Sequence, residues 1–565
     1  MKKKLIHTAI FLISLVLINW LSSYVYHRFD LTSEKRYSIS DNTKKLLRNL
    51  DEDITIKVYL DGDLNSSFYQ LKKSVKDILE EFKAYDKHRK LTYEFINPSE
   101  GKNNKERNEY YAQLESRGLK PIVVHDTDSE GEMIQKVMFP WAEFSTARDT
   151  SFLVNLLKNI PGYGGEENIN ASIESLEFEL TDALRVITAK EIMKIAFIEG
   201  HGELPEQNVF DITNSFSRYY QIDRGVLGSD ASVLDGYKAI IIAGPQEKYS
   251  ESDKFIIDQY VMKGGKVLWL VDGVSHINMD SLQIRSSAIA LPKDINLNDI
   301  LFRYGVRINA NLVQDLQCAY IPVNLAPIGE KANYKPAPWY YSPLLLTSPY
   351  HPITKNLTPV KAEFASSIDL VNNESKIQKT VILATSSSSN SMQAPIVVNV
   401  NMVNEKQVAE NFVMPNQPVA VSLEGCFPSI FANRMVPKDI EYFFGNIIQE
   451  SKPTKMVVCS SSSLIRNQTM GVGENMVAVP LGYDRYMNQQ FGNKDFILNA
   501  VNFLTDDEGW MNLRTRELKI RLLNKKQITT HKTFWKMVNV VGPLVVLMIF
   551  GVVFLVVRSR KYKRK

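Results

Sequence analysis

The sequence predicts an α/β protein that carries one membrane-spanning helix at each end. Apolar strands alternate with helix-length segments over residues 192–273, and a similar strand–helix pattern precedes them over residues 53–160. The membrane helices follow from two almost continuously apolar runs, residues 5–26 and 534–557. A chain of 565 residues has room for about three or four domains, and a net charge of +4 gives no argument for binding nucleic acid.

The N-terminal apolar run, residues 5–26, follows the basic start MKKK. A cleaved signal peptide is one interpretation, but the run is long for such a peptide and no small-x-small cleavage site follows it. Trp20, Tyr24 and Tyr26 are typical of the aromatic belt of a retained membrane helix. We therefore predict a membrane helix over residues 5–26, preceded by a cytoplasmic tail, residues 1–4.

The C-terminal apolar run, residues 534–557, is followed by a basic tail, residues 558–565. About twenty apolar residues suffice to cross a bilayer as a helix. Two spans place both termini on one side, and the short basic tails favour the cytoplasm for them. The segment before the second span is also basic, which argues the other way. Because long domains translocate largely regardless of charge, we predict that the large middle is extracytoplasmic.

A connector, residues 27–52, leads into the first predicted soluble domain, residues 53–160. The order strand, helix, strand, helix, strand, strand suggests a thioredoxin-like fold. A redox member of that fold would need a CxxC motif at a helix start. The chain has 3 cysteines, Cys318, Cys426 and Cys459, which lie outside this domain and in no metal-binding spacing. We therefore exclude redox chemistry and treat these cysteines as ordinary apolar residues.

The second predicted domain, residues 161–310, gives the clearest α/β pattern. The strands MKIAFIEG, YKAIIIAGP and KVLWLVDG are separated by segments of helix length, which indicates a parallel sheet of flavodoxin type. In such sheets ligands bind beyond the carboxyl ends of the strands. The residues expected in this crevice are Glu199, His201, Glu203, Pro245, Asp272 and His276.

A histidine among carboxylates can serve as a general base or a metal ligand, so His201 needs an explicit interpretation. The chain has no Gly-x-Ser/Cys-x-Gly nucleophile elbow and no second His at helical metal-binding spacing. It also has no Gly-Lys-Ser/Thr phosphate loop. We expect no catalytic residue, metal or cofactor, and interpret the crevice as a polar loop region that keeps the shape of a ligand site.

The following region, residues 311–450, is rich in proline and aromatic residues. Trp339, Tyr340 and Tyr341 would suit contact with a partner or with lipid if they formed an exposed tip, because aromatic residues are favoured in interface cores. The alternative is that these rings pack within their own domain.

Residues 451–530 complete the α/β region and end in a basic stalk. Serine runs follow the apolar strands at 380–385 and 455–459, and without a neighbouring base we expect solvated turns rather than nucleophiles. In the stalk, Lys525 and Lys526 are either simply solvated or contact anionic lipid or an acidic partner surface.

Several strings of residues resemble one known family. DLTSEKRYSIS, with Arg36, Tyr37 and Ser38 at its core, is similar to the segment after the first membrane helix of the GldG family. These are accessory proteins of gliding-motility ABC transporters, and more broadly resemble auxiliary subunits of ABC-2 type exporters. The further similar strings are GHGE at 200–203, PLLLTSPYHPITKNL at 343–357, FPS at 427–429 with Arg434, RNQ at 466–468 and GWMNLRTRELKIRLLNKKQI at 509–528.

The resemblance implies a two-pass protein of the inner (cytoplasmic) membrane with a large periplasmic part. It implies a role beside a separate ABC permease and a cytoplasmic ATPase in gliding motility and the associated secretion. The family's central domain resembles class I glutamine amidotransferases without their catalytic set. The leading hypothesis is a non-catalytic accessory subunit that binds partner proteins or substrate; the alternatives are a solute-binding receptor and an amidotransferase-like hydrolase that uses His201.

Overall fold

The computed structural model describes residues 38–101, 103–127, 133–148, 150–160, 163–324, 331, 333–371, 377–404, 409–471, 477–515 and 530–562, together with His7 and Ser14. The chain divides into two compact units, the first formed by residues 1–31 and 37–516 and the second by residues 32–36 and 517–565. The predicted membrane helix at residues 5–26 lies outside the described residues apart from His7 and Ser14, so it stays a prediction.

The first sheet of the larger unit begins after helix α1. The elements of this region are α1 Asp41–Arg48, β1 Ile54–Val58, α2 Ser66–Tyr85, β2 Leu91–Phe95, α3 Asn104–Ser116, β3 Ile122–Thr127, β4 Met133–Met138, β5 Trp141–Thr146, β6 Ser151–Asn155 and α4 Gly165–Ile187. The sheet order is β2-β1-β5-β6, with β1 parallel to β2 and the other pairs antiparallel, while β3 and β4 form a separate hairpin.

Amphipathic periodicity explains how this first core forms. Strand β1 alternates buried and half-buried residues, and helix α2 buries Leu71, Val75, Leu79 and Phe82 at three- and four-residue steps. Helix α4 completes the same core through residues such as Leu176 and Leu180. The phenyl ring of Phe178, on the same helix, packs into the core of the second sheet. Helix α4 therefore contributes to both cores.

Twenty further strands follow among the described residues: ten form the second, larger sheet and the other ten form five two-stranded sheets. These are β7 Met193–Ile198, β8 Tyr220–Gly225, β9 Ala239–Ala243, β10 Lys266–Leu270, β11 Ser287–Ala290, β12 Val306–Ile308, β13 Asn311–Asp315, β14 Cys318–Asn324, β15 Tyr334–Thr347, β16 Val360–Lys361, β17 Ile368–Leu370, β18 Ile377–Ala384, β19 Ser389–Gln393, β20 Ile396–Asn399, β21 Pro418–Gly425, β22 Thr454–Cys459, β23 Thr469–Met470, β24 Val477–Ala478, β25 Tyr483–Asp484 and β26 Gln489–Gln490. The helices of this region are α5 Glu206–Phe216, α6 Glu251–Met262, α7 Met279–Arg285, α8 Asn298–Tyr304 and α9 Asn493–Thr505.

Short 3-10 helices connect some of these elements, at Val400–Asn404, Ala409–Asn411, Ser462–Leu464 and Trp510–Thr515. The parallel part of the second sheet has the order β8-β7-β9-β10-β22, which is the 2-1-3-4-5 order of doubly wound sheets. Helices α5 and α9 pack on one face, and α6 and α8 pack on the other. Every residue of β9 and β10 is buried because both faces are covered. The parallel arrangement predicted for residues 192–273 is thus observed.

Beyond β22 the sheet continues antiparallel through β21, β18 and β15, and smaller strand pairs pack at that end. Trp339 and Tyr341 are each 1% exposed and Tyr340 is 8% exposed, so the exposed aromatic tip is not formed. Trp339 and Tyr341 pack edge-to-face with each other, and Tyr340 packs beside Phe412. The rings thus pack within their own region, because burying large apolar rings is strongly favourable.

The smaller unit contains helix α10, Lys532–Tyr562. Its 31 residues span about 46 Å at 1.5 Å per residue, more than the roughly 30 Å of a bilayer's hydrocarbon core. An 18-residue window within it has a mean hydropathy of 3.0, and none of that window is buried in protein. By length and composition this helix, which includes the predicted span 534–557, can cross a membrane. It is the one such helix found among the described residues.

Candidate functional site

The carboxyl ends of the parallel strands border a cleft of about 480 Å³. The turn after β7 contributes Glu203 to its wall, the turn after β9 contributes Gly244, and the segment after β22 contributes Arg466. Tyr320 on β14 and Trp339 on β15 also line it. The cleft lies at the place where doubly wound sheets bind ligands, because neighbouring connections there leave the sheet in opposite directions.

Glycine at position 244 allows the turn after β9 to approach the segment after β22. The backbone of Gly244 has φ +67°, a left-handed conformation that favours glycine. A Cβ atom at this position would lie 2.7 Å from the Cβ atom of Ser462, which is too close for real side chains. The cleft wall therefore depends on a residue without a side chain at this point.

The structure separates the predicted crevice residues into distinct groups. Glu203 and His276 line the cleft, and Asp272 lines a small adjoining recess together with His276. His201 lies behind Glu203, where it is 8% exposed. Glu199 is not among the residues that line the cleft, and its carboxylate accepts a hydrogen bond from Arg224 Nε at 2.7 Å. Next to Pro245, Gly244 and Gln246 line the cleft.

His201 is held between two carboxylates. Its Nδ1 lies 3.2 Å from Oε1 of Glu203, its Nε2 lies 3.2 Å from Oδ2 of Asp253, and its ring stacks on Tyr249 at 3.7 Å. Burial lowers the pKa of His201, but the two carboxylates outweigh burial and raise it to about 9. The ring is thus an imidazolium at neutral pH with both nitrogens donating. It has no free lone pair with which to accept a proton from a substrate.

The pKa values of the two carboxylates beside His201 are both lowered, so their negative charges lie next to its positive charge. Burial raises the pKa of Glu203, but hydrogen bonds from His201 and Tyr249 outweigh it and lower that pKa. Asp253 follows the same pattern, with hydrogen bonds from His201 and Ser250. Asp253 also caps helix α6 through a reciprocal pair of hydrogen bonds with Ser250. This cluster therefore fixes the turn after β7 to the start of α6.

Asp272, which follows β10, joins the end of that strand to the segment after β22. Its carboxylate accepts hydrogen bonds from the backbone N–H of Ser462 at 2.7 Å and from the Ser462 hydroxyl at 2.8 Å. Ser460, Ser461 and Ser462 are all buried, and the hydroxyls of the first two donate to backbone carbonyls. The first three serines of the run at 460–463 therefore form a buried, hydrogen-bonded turn and not the solvated turn expected from the sequence.

An ion network on the cleft wall, in which Asp484 is buried and Lys361, Glu363 and Arg466 are half-buried, was not predicted from the sequence. Lys361 Nζ lies 2.8 Å from Asp484 and 3.1 Å from Glu363, and Arg466 lies 3.9 Å from Glu363. Burial lowers the pKa of Lys361, but the two carboxylates outweigh it and raise that pKa. Burial raises the pKa of Glu363, and Lys361 with Arg466 outweighs it and lowers that pKa. Every charge of this network thus has an opposite charge beside it.

His276 stands at the edge of this network, where Arg466 Nη1 approaches its Nε2 at 3.2 Å. Desolvation at the cleft wall and the adjacent positive charge of Arg466 lower the pKa of His276. His276 is therefore neutral at neutral pH and accepts a hydrogen bond through Nε2. The residues that the structure describes include no group of three or more His, Cys, Asp or Glu side chains arranged to hold a metal ion. The wall of the cleft thus carries polar side chains, several of which are paired with opposite charges.

The other predicted contact residues fall into two groups. Trp339 lines the cleft but is buried, as are Tyr340 and Tyr341. Lys525 and Lys526 lie outside the described residues, so their predicted contact with lipid or a partner stays a prediction.

The chain is similar to known proteins at three levels. An uncharacterized protein of Borreliella burgdorferi is 20% identical over 545 residues, covering 93% of this chain and 92% of the relative. Among solved structures, the mmIFT52 N-terminal domain is 14% identical and covers 56% of this chain and 99% of its own, with a TM-score of 0.31. That TM-score is too low to establish a common fold.

Two family models match the chain. Residues 33–145 match a domain of unknown function. Residues 193–500, more than half of the chain, match the auxiliary family described as an ABC-type uncharacterized transport system. The matched region runs from β7 into α9 and thus contains the parallel sheet and its cleft. The chain therefore belongs to this auxiliary family of ABC-type transport systems.

Proposed function

We propose that this protein is a non-catalytic accessory subunit that presents its α/β body, outside the cytoplasm, to a partner protein or a transported substrate. The family match over residues 193–500 carries the proposal, because it gives the chain an accessory role in an ABC transport system. Helix α10 supports association with the membrane. The ATPase and the permease are then separate chains, in keeping with the lack of a phosphate-loop motif in this sequence.

The non-catalytic part of the proposal is supported by the arrangement of His201. A general base needs a free lone pair and a pKa near the working pH. His201 has both ring nitrogens bonded to carboxylates and a pKa of about 9. Its interactions serve to join the turn after β7 to helix α6.

The finer identity rests on the sequence strings. We propose membership of the gliding-motility GldG group, with both termini in the cytoplasm and a periplasmic body. The string DLTSEKRYSIS and the basic tails support this assignment. The strand order β2-β1-β5-β6 supports a thioredoxin-like first domain, and the 2-1-3-4-5 order supports a relation to amidotransferase-type sheets.

Co-purification tests the accessory role. The full chain, tagged and expressed in its own cells, should retain an ABC permease and an ATPase after mild detergent extraction. A variant that ends before residue 532, and so lacks helix α10, is the matched control and should lose both. A full chain that is monodisperse and never associates with either protein contradicts the proposal.

A topology map tests the location of the body. Cys318, Cys426 and Cys459 are first replaced by serine, and single reporter cysteines are then placed before residue 5 and at Gly162. An impermeant thiol reagent added to intact cells with a permeabilised outer envelope should label the cysteine at 162 and not the N-terminal one. The reverse pattern contradicts a periplasmic body.

A solute receptor is the second candidate, because the 480 Å³ cleft lies at the ligand-binding end of the sheet. Saturable binding of a transported solute that Arg466→Gln weakens, with the association with the permease unchanged, would favour this role. The hydrolase alternative is tested by His201→Ala and Glu199→Ala. Loss of function in folded and assembled variants would favour catalysis.

A further inference from the structure

A second cavity, of about 440 Å³, lies between the first sheet and the second. Trp141 on β5 and Phe152 on β6 form one side of it, and Asp182 on α4 and Tyr219 before β8 form another. Lys355, Asn499 on α9 and Arg514 close it. The cavity therefore depends on the packing of both sheets and is separate from the cleft at the carboxyl ends of the strands.

Two cations on its wall differ from Lys254 and Lys266, the other lysines buried in the described part of the chain, which lie beside carboxylates. The Lys355 side chain belongs to a residue that is 7% exposed, and its Nζ donates to the backbone carbonyl of Thr515 at 3.1 Å. The Arg514 guanidinium donates to Asn499 Oδ1 at 2.9 Å and to the backbone carbonyl of Lys355 at 3.2 Å. All of these acceptors are neutral. Within the described residues, neither cation lies within 4.0 Å of a carboxylate.

Arg514 also keeps one donor unused. Its Nε–H is buried and has no hydrogen-bond partner in the described part of the chain. Burial lowers the pKa of this guanidinium in spite of the more distant carboxylates of Glu179, Asp495 and Asp182. A buried donor without an acceptor and a buried cation without a counter-charge are both unfavourable, so native proteins rarely keep them without a reason.

Four carboxylates also line the cavity, those of Glu174, Glu179, Asp182 and Asp495, and none lies within 4.0 Å of the Lys355 ammonium or the Arg514 guanidinium. Glu179 pairs with Lys158 at 2.5 Å, and Asp182 pairs with Arg185 at 2.9 Å. Asp495 is exposed to solvent. An ammonium and a guanidinium on residues that line one cavity are suited to an oxyanion, because both donate charge-assisted hydrogen bonds to its oxygens.

We propose that this cavity binds a small soluble oxyanion, through a phosphoryl or carboxylate group held between Lys355 and Arg514. The volume accommodates a molecule of metabolite size, and the aromatic rings of Trp141, Phe152 and Tyr219 supply apolar contact for its remainder. Because the cavity is shared by the two sheets, the bound anion joins them, and its binding stabilises the packed body by mass action.

The test uses the full chain in detergent, in a buffer whose only small anion is chloride. Inorganic phosphate and citrate are titrated at constant ionic strength, and binding is followed by calorimetry and by the thermal midpoint. We expect a saturable rise in midpoint with at least one of the two probes. Lys355→Gln and Arg514→Gln should weaken that binding at least tenfold, whereas Arg485→Gln, on the wall of the other cleft, should leave it unchanged.

The measurement on the wild-type protein is sufficient to contradict the proposal. The proposal therefore remains testable even if a variant fails to fold. A wild-type chain that gives no saturable response to either probe contradicts it. So does an equal response in folded Lys355→Gln and Arg514→Gln variants, or a response only to phosphatidylglycerol vesicles. As a second readout, probe binding should change tryptophan emission in the wild type and leave it largely unchanged in Trp141→Phe, because Trp141 lines the cavity.

Discussion

The cleft at the carboxyl ends of the parallel strands and the cavity between the two sheets hold charged side chains in opposite ways. In the cleft, Lys361 lies between Glu363 and Asp484, and His201 lies between Glu203 and Asp253. In the cavity, Lys355 and Arg514 contact only neutral acceptors among the described residues. Charged residues at a strand end therefore do not by themselves indicate chemistry. The presence or absence of an internal counter-charge is the more informative observation.

Removing one member of the compensated network should have the largest effect. Lys361→Met leaves the buried Asp484 without a cation beside it, while Glu363 keeps Arg466 at 3.9 Å; removing one partner of a buried pair typically costs about 3–5 kcal/mol of unfolding free energy. The thermal midpoint of the purified chain measures the loss. The double variant Lys361→Met, Asp484→Asn removes this pair of charges, leaves Glu363 beside Arg466 and should recover most of the loss. A single variant as stable as the wild type would contradict the assignment of this network as compensated.

The next effect concerns Gly244, which shapes the cleft wall. Gly244→Ala combines a left-handed backbone with a Cβ atom 2.7 Å from Ser462 Cβ, and we expect a loss of about 2–4 kcal/mol. Gly228→Ala is the matched control, since Gly228 has φ +71° and open space where its Cβ atom would lie. It should lose only about 1 kcal/mol. Equal midpoints for the two variants would show that the close approach to Ser462 has no effect.

The parallel sheet and two crevice residues could be predicted from the sequence, whereas the ion network on the cleft wall could not. The parallel sheet was predictable because β9 and β10 are continuous apolar runs between helix-length segments. Glu203 and His276 were predictable as crevice residues because they follow strands whose carboxyl ends share an edge. Lys361, Glu363, Arg466 and Asp484 gave no local pattern, because residues distant in sequence meet only through tertiary packing.

The aromatic run shows a different limit of sequence reasoning. Three consecutive rings, Trp339, Tyr340 and Tyr341, cannot all lie on one face of a strand, so a strand would expose some of them unless both faces were covered. At these three residues strand β15 is covered on both faces, with Phe364 packed on one side and Phe412 on the other. That cover comes from segments that the periodicity of the run itself does not reveal. Sequence alone therefore left both alternatives open.

The His201 cluster predicts how the stability of the protein depends on pH. The folded-state pKa of about 9 lies above the ordinary value of 6.5, so the stabilisation is complete below about pH 6.5 and is lost as pH rises through about 9. His201→Gln should cost about 1–3 kcal/mol at pH 6, allowing for partial solvent screening. The difference from the wild type should shrink towards zero near pH 10. Denaturant midpoints at the two pH values measure it.

His351 provides the control of opposite sign for that prediction. Burial, with the nearby charge of Lys455, lowers the pKa of His351 to about 4. Between pH 6.5 and 4 the unfolded chain binds a proton that the folded chain does not, so this residue reduces stability as pH falls. Between pH 6.5 and 4 the His351→Gln variant should therefore lose less unfolding free energy than the wild type. Between pH 6 and 10 the difference in unfolding free energy between the two should stay nearly constant. The same pH trend for both variants would contradict the two assignments.

The smallest change in unfolding free energy is expected for the removal of Arg514 from the cavity between the two sheets. Arg514→Met removes a cation that has no carboxylate partner in the described chain, so no buried counter-charge is left behind. The loss of its hydrogen bonds and the gain from removing an uncompensated charge should nearly cancel, within about 1 kcal/mol in chloride buffer. The thermal midpoints of Arg514→Met and Lys361→Met, measured under the same conditions, compare the two losses of stability. A loss as large as that of Lys361→Met would mean that Arg514 is compensated within the protein, and the distinction between the cleft and the cavity would then fail.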